Sequence, residues 1–227
     1  MKNFGTLLIF ALMLTMTSEG YSQIFGVKGG LNLANMQAKD DIGNLDTKMI
    51  TGFNLGATAE FPLSKMFSFE TGLQLSTKGT KRTESSPNGI DTDYKAQLTY
   101  LDIPLTAKAT FDVSGVKLYG VFGPYIGIGL GGQTYEDGEG TKIKWGSYQG
   151  TGELDFDDKG NPIWDDSDDF KRLDYGLIIG AGVEIKAIQI GLTYGLGLAN
   201  ISPDTSDGTK VSNRVLGISV GYKFGKK

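Results

Sequence analysis

Residues 101–130 read Leu101-Asp-Ile-Pro-Leu-Thr-Ala-Lys-Ala-Thr-Phe111-Asp-Val-Ser-Gly115-Val-Lys-Leu-Tyr-Gly-Val-Phe-Gly-Pro-Tyr125-Ile-Gly-Ile-Gly-Leu130. Two alternating runs meet at a short turn, 112–115. In the first run Leu101, Ile103, Leu105, Ala107, Ala109 and Phe111 share one parity, and Asp102 and Lys108 take the other. In the second, Val116, Leu118, Phe122, Pro124, Ile126, Ile128 and Leu130 oppose Lys117, Gly123, Gly127 and Gly129. A period of two over such lengths is the signature of a strand, and the short gap makes the pair a hairpin.

The same alternation recurs from end to end. It predicts eight strands, at about 24–35, 51–61, 67–78, 95–111, 116–132, 173–185, 188–199 and 213–224. One face of each is apolar, as in Phe53-Leu55-Ala57-Ala59-Phe61 and Ile188-Ile190-Leu192-Tyr194-Leu196-Leu198. Its one charge, Arg214, stands near a strand end and can snorkel. The opposite face holds ten charges: Lys28, Glu60, Glu70, Lys78, Asp102, Lys108, Lys117, Asp174, Glu184 and Lys223. It also collects glycines, including Gly131, Gly180, Gly182, Gly195, Gly197, Gly217 and Gly221. Glycine weakens a strand that faces water, but it is expected where backbones or side chains crowd closely. The polar, glycine-rich face is therefore the inside and the apolar face the outside. Such an outside is stable in lipid, and in lipid a sheet must close on itself.

The connections agree. Those at 62–66, 112–115 and 186–187 are short, whereas 36–50, 79–94, 133–172 and 200–212 are long. Short turns at one end and long loops at the other are the outer-membrane pattern. The expected fold is an all-β, eight-stranded antiparallel up-and-down transmembrane β-barrel over 23–227. Phe25, Phe61, Phe67, Phe111, Tyr222 and Phe224 then form a periplasmic aromatic girdle. The five basic and five acidic inward residues are expected to pair across a lumen that side chains fill.

Residues 1–22 precede the alternation. Lys2, an apolar stretch from Phe4 to Met16, and small Gly20 and Ser22 before Gln23 fit an export signal peptide. The 227 residues include 34 Gly but no His and no Cys. That composition excludes a His-dependent triad, a His/Cys zinc site and any disulfide. A net charge of −4 speaks against nucleic-acid binding. No catalytic residue, metal site or cofactor is expected. The enzyme alternative is a carboxylate-only site, with Asp102, Asp174 or Glu184 as candidates.

Two motifs have plain alternatives. Gly127-Ile-Gly129-Leu-Gly131-Gly132 matches a dinucleotide fingerprint, but it lies within a strand and leads into a loop rather than a helix. The third long loop, 133–172, carries 11 acidic and 5 basic residues. Its stretch Asp155-Phe-Asp157-Asp158-Lys159-Gly160-Asn161 has the look of a calcium loop, with Asp166 at the twelfth position. Lys159 at the fifth position and Asp166 in place of Glu favour instead a hairpin turn at 159–161 flanked by Phe156 and Trp164. Asp155, Asp157, Asp158, Trp164, Asp165, Asp166, Asp168 and Asp169 then form an acidic surface available for contact.

The order of Tyr100-Leu-Asp-Ile-Pro104-Leu, Gly120-Val-Phe-Gly-Pro124-Tyr, Asp174-Tyr-Gly-Leu, Gly180-Ala-Gly-Val-Glu184, Tyr194-Gly-Leu-Gly-Leu-Ala-Asn200-Ile and Gly221-Tyr-Lys-Phe224 resembles the PorT-like outer-membrane β-barrel domain of Bacteroidota. The resemblance spans the chain after residue 22. It implies an outer-membrane location and insertion by the barrel-assembly machinery, with no assigned activity for most members. A link of that family's name to type IX secretion does not pass to a relative by fold alone. One departure is the tail, in which Gly225-Lys-Lys227 follows the closing aromatic. Together these readings predict a non-enzymatic surface protein that presents loops and is surrounded by outer-membrane lipid and lipopolysaccharide. A narrow channel is the alternative, and a soluble barrel would need the opposite face inside.

Overall fold

The computed structural model describes residues 23–39, 43, 47–85, 91–146, 155–156, 162–163, 170–203 and 208–224. The expected signal peptide, 1–22, lies outside them. The strands are β1 (Ile24–Lys39), β2 (Ile50–Pro62), β3 (Phe67–Ser85), β4 (Asp91–Val113), β5 (Val116–Glu136), β6 (Glu139–Lys142), β7 (Asp155–Phe156), β8 (Pro162–Ile163), β9 (Leu173–Ile185), β10 (Ile188–Gly197) and β11 (Lys210–Phe224). Nine belong to one antiparallel sheet in the order β4-β3-β2-β1-β11-β10-β9-β5-β6, and β5 also pairs back to β4. The first strand is thus zipped to the last, from Phe25↔Phe224 to Lys39↔Lys210.

The sheet differs from the eight expected strands through β6. Asp137 and Gly138, with φ of 47° and 90°, turn β5 back on itself. Asp-Gly is a two-residue hairpin signal, because both positions must adopt positive φ. The resulting β6 takes the margin of β5 at Gln133–Glu136, beyond the stretch that β9 covers. A second difference is length. From Gln74↔Asp102 the ladder between β3 and β4 runs unbroken to Ser85↔Asp91, so most of the expected loop 79–94 is hairpin. A third is a bulge opposite Thr99 and Tyr100, where β5 gains a residue. It shifts the alternation, so Gly132 rather than Gly131 crowds the interior against Leu98 and Ile143.

The burial pattern is inverted relative to a soluble domain. Lys108 and Asp174 are 0% exposed, whereas Ile179 and Leu31 are 58% and 61% exposed. On β4 the outward row runs from Leu101 to Phe111. Ten residues at about 3.3 Å each, tilted by about 40°, span about 25 Å, the height of a membrane-facing band. The outward Arg214 stands just past this band and is held by Gly197 O at 2.7 Å and Gln37 Oε1 at 2.8 Å.

Candidate functional site

The interior contains two charge clusters, each assembled from side chains of several strands. Nearer the short turns, Lys108 of β4 lies 3.0 Å from Glu60, 3.5 Å from Glu70 and 3.5 Å from Glu184. Lys223 of β11 is 2.7 Å from Glu184 and also bonds Glu60. Lys28 lies 3.9 Å from Glu70, and Ser68 donates to Glu60 at 2.9 Å. The Lys108 ammonium also sits over the Tyr119 ring at 4.6 Å. Three lysines thus meet three glutamates, so the cluster is formally neutral, as burial requires. Lys117 stands at the same end, lining a cup with Glu60 and Glu184.

Nearer the long loops, Lys78 bridges Asp102 at 2.8 Å and Asp174 at 2.9 Å. Tyr125 and Asn213 donate to the same Asp174 oxygen at 3.1 and 2.9 Å. The rings of Tyr100 and Tyr125 flank the Lys78 ammonium at 4.6 and 4.5 Å, adding cation–π attraction. All ten sequence-nominated charges therefore face the lumen. The carboxylates considered for an enzyme, Asp102, Asp174 and Glu184, are each tied to an ammonium.

The lumen is not completely filled. A cavity of about 80 Å³ touches members of both clusters and is lined by Asn32, Asn54, Gln74, Gln189, Thr193 and Ser219. Gly195 and Gly221 on the same wall contribute no bulk. At about 10–15 Å³ each, roughly five to eight waters fit. The amides of Asn32, Asn54, Gln74 and Gln189 and the hydroxyls of Thr193 and Ser219 can hydrogen-bond them, while Pro104, Val121, Ile178 and Val215 supply apolar wall between.

Above Lys78 an apolar plug packs into the shaft. Met36, Leu98, Tyr100, Ile143, Ala199 and Ile201 form a buried cluster, with Trp145, Phe170 and Val211 packed on it. Trp145 meets Tyr100 edge-on, with ring centroids 5.7 Å apart. It lies over Gly129, where a Cβ would stand 2.4 Å from the indole. Backbone bonds from Gly146 to Phe170 and from Lys171 to Ile201 fix the returning chain across the opening. Sequence reading missed this plug. Its signal was the alternation Ile143-Lys-Trp145 inside a segment otherwise read as an acidic loop. In a Trp164→Phe variant, where Trp145 is the sole indole, emission should be blue-shifted and resist acrylamide quenching. Fully quenchable, water-like emission would contradict the docked plug.

Of the acidic contact residues, only the backbone of Asp155 lies among the described residues. Backbone pairing of Asp155↔Ile163 and Phe156↔Pro162 provides the two arms that a hairpin there needs. Asp157, Asp158, Trp164, Asp165, Asp166, Asp168 and Asp169, like the side chain of Asp155, lie outside the described residues. Among the described residues no group of three or more carboxylates is arranged to hold a metal ion.

Comparison with known proteins follows from this geometry. The model of a family described as outer membrane protein beta-barrel domain matches residues 21–203. Among solved structures, the attachment invasion locus protein Ail of Yersinia pestis, in complex with the heparin analogue sucrose octasulfate, is 18% identical. The match covers 89% of this chain and 99% of that one, with a TM-score of 0.38. Neisserial surface protein A is 15% identical over 91% of this chain and 100% of that one, with a TM-score of 0.41. OprG from Pseudomonas aeruginosa is 13% identical over 90% and 97%, with a TM-score of 0.46. No curated protein matches.

Proposed function

The chain belongs to the outer membrane protein beta-barrel domain family, and from that premise we propose that it is a sealed, non-enzymatic, eight-stranded transmembrane barrel that displays its long loops at the cell surface. The fold is an antiparallel outer-membrane barrel, and its location is the outer membrane. The eight-strand reading takes the circuit β4-β3-β2-β1-β11-β10-β9-β5 as the membrane wall and β6 as an extension of it outside. The motif order supports a place in the PorT-like branch of Bacteroidota. Residues 1–22 act as the export signal, the barrel-assembly machinery inserts the chain, and no nucleic acid is bound.

The observation that carries this reading is that side chains cross the lumen at two levels, which supports a double stop. Salt-bridged lysines and carboxylates cross it near the turns, and the Trp145 plug covers it near the loops. A wall sealed in this way is a support for what it carries outside. The acidic stretch 155–169 is the proposed contact surface, by its length and charge. The narrow-channel reading rests on the polar cavity, and it would require the plug to leave.

Planar-bilayer recordings on the refolded protein should show no steady conductance above the lipid background. Replacing 147–169 by a short Gly/Ser linker should keep the bilayer silent, because the Ile143–Trp145 segment is retained, while altering cell-surface binding. Large steady openings of the unmodified protein would replace this reading with the channel.

A further inference from the structure

The outward face carries a second charge pattern, which becomes visible once the register is known. On four strands a lysine stands six residues beyond the last outward leucine of the membrane band: Leu33 and Lys39, Leu75 and Lys81, Leu101 and Lys95, Leu216 and Lys210. Leu33↔Leu216 and Leu75↔Leu101 are directly paired, and so are Lys39↔Lys210 and Lys81↔Lys95. Lys48, just before β2, is bridged to Lys81. Five lysines thus follow one another around β11, β1, the approach to β2, β3 and β4. Facing residues of an antiparallel ladder share a face, so the lysines continue the side that carries the leucines. Six residues of tilted strand place their backbone about 15 Å beyond the apolar band.

Like charges directly opposite one another destabilise a ladder, and here three such pairs occur side by side. No carboxylate relieves them: among the described residues none of the five makes an ion pair, and Lys95 rests only against the Tyr135 ring at 5.1 Å. The nearest outward acids on this sheet, Asp93 and Asp91, lie beyond Lys95, farther from the membrane. In a chain of net charge −4, this is, among the described residues, a concentration of positive charge at one height without an ion-pair partner. It faces sideways into the surrounding leaflet rather than upward. Strands β9 and β10 end at Leu173 and Gly197, so the arc occupies the taller side of the wall.

We propose that this arc, Lys39, Lys48, Lys81, Lys95 and Lys210, binds the phosphate groups of outer-leaflet lipopolysaccharide packed against the barrel. The proposal rests on the outer-membrane orientation argued above, with long loops outside. The partner must be anionic, laterally placed and repeated around a curved wall. A phosphorylated glycolipid standing in the leaflet meets all three conditions, whereas a protein ligand would approach from the loop tips. Basic residues at this height attract anionic headgroups, and the attraction falls within a Debye length.

The test compares the wild type with a variant in which all five lysines are glutamine, both refolded in detergent. Binding of purified rough lipopolysaccharide is measured beside the same material stripped of phosphate by hydrogen fluoride. The variant should bind intact lipopolysaccharide at least about 10-fold more weakly. Wild type should lose a similar factor with the stripped material or on moving from low to high salt. Inorganic phosphate should compete only weakly, since it lacks the repeated spacing. An unboiled gel-shift on both proteins separates loss of binding from loss of folding. If the five-fold variant fails to fold, the Lys81→Gln/Lys95→Gln pair is read instead, with a decrease of about 3-fold expected. Equal affinities of wild type and variant, or equal affinities for intact and stripped lipid, would overturn the arc and leave the barrel standing. A wild type that purifies without detergent would overturn the membrane reading itself.

Discussion

Replacing Lys108 by methionine should destabilise the folded protein by about 3–5 kcal/mol, the cost of leaving buried charge uncompensated. Lys108 is 0% exposed and stands within 3.5 Å of three glutamates, Glu60, Glu70 and Glu184. Without it, Lys223 alone bridges Glu60 and Glu184, and Glu70 keeps only the 3.9 Å contact with Lys28. Methionine matches the stem of lysine, so the loss reports charge rather than shape. Adding Glu70→Gln to the variant removes one carboxylate and restores neutrality, so it should recover at least half of the loss. Urea titrations of folding into detergent micelles measure both. A loss below about 1 kcal/mol would mean that the carboxylates are already served by water, and the paired-lumen account would fail.

The second large effect concerns the outside. Ile179 lies midway along β9, 58% exposed, with Phe122 and Tyr194 beside it on neighbouring strands. Ile179→Lys should cost about 2–4 kcal/mol in a bilayer, the range for a lysine on the lipid face at mid-depth. In a soluble barrel the same exposed position would accept lysine within about 0.5 kcal/mol. The adjacent Ile178 lines the polar cavity, so the two neighbouring positions test opposite sides of one wall. Unchanged stability of Ile179→Lys in lipid vesicles would reverse the assignment of faces.

Much of this architecture was legible because a strand repeats every two residues. The rule separates Leu101, Ile103 and Leu105 from Asp102 and Lys108 without any coordinates. It could nominate the lumen charges but not pair them, since pairing depends on which strands face each other across the interior. The bulge at Thr99/Tyr100 is a one-residue irregularity with no local signal, and it moved Gly131 off the crowded face. The Trp145 plug was hidden by its acidic surroundings. It forms because Gly129 leaves room for an indole, a complement that lies on a different segment. The lysine arc needed the register itself: Lys81 and Lys95 are separated by a turn, and Lys39 and Lys210 by most of the chain. Asp137-Gly138 was readable as a turn and was passed over inside a long loop.

The lower charge cluster draws on β2, β3, β4, β9 and β11 through Glu60, Glu70, Lys108, Glu184 and Lys223. Lys28 of β1, Glu60, Glu70 and Lys108 sit on the first four strands; Glu184 and Lys223 arrive from the far end of the chain. Lys223 reaches Glu60 only when β11 has docked beside β1. The complete set of attractions therefore arises late, after individual hairpins have formed, and behaves as a latch on closure. Weakening it should leave the folding rate nearly unchanged and make the closed protein open sooner, as for contacts absent from the transition state. The lifetime of the barrel, more than its speed of assembly, is set by that late-formed latch.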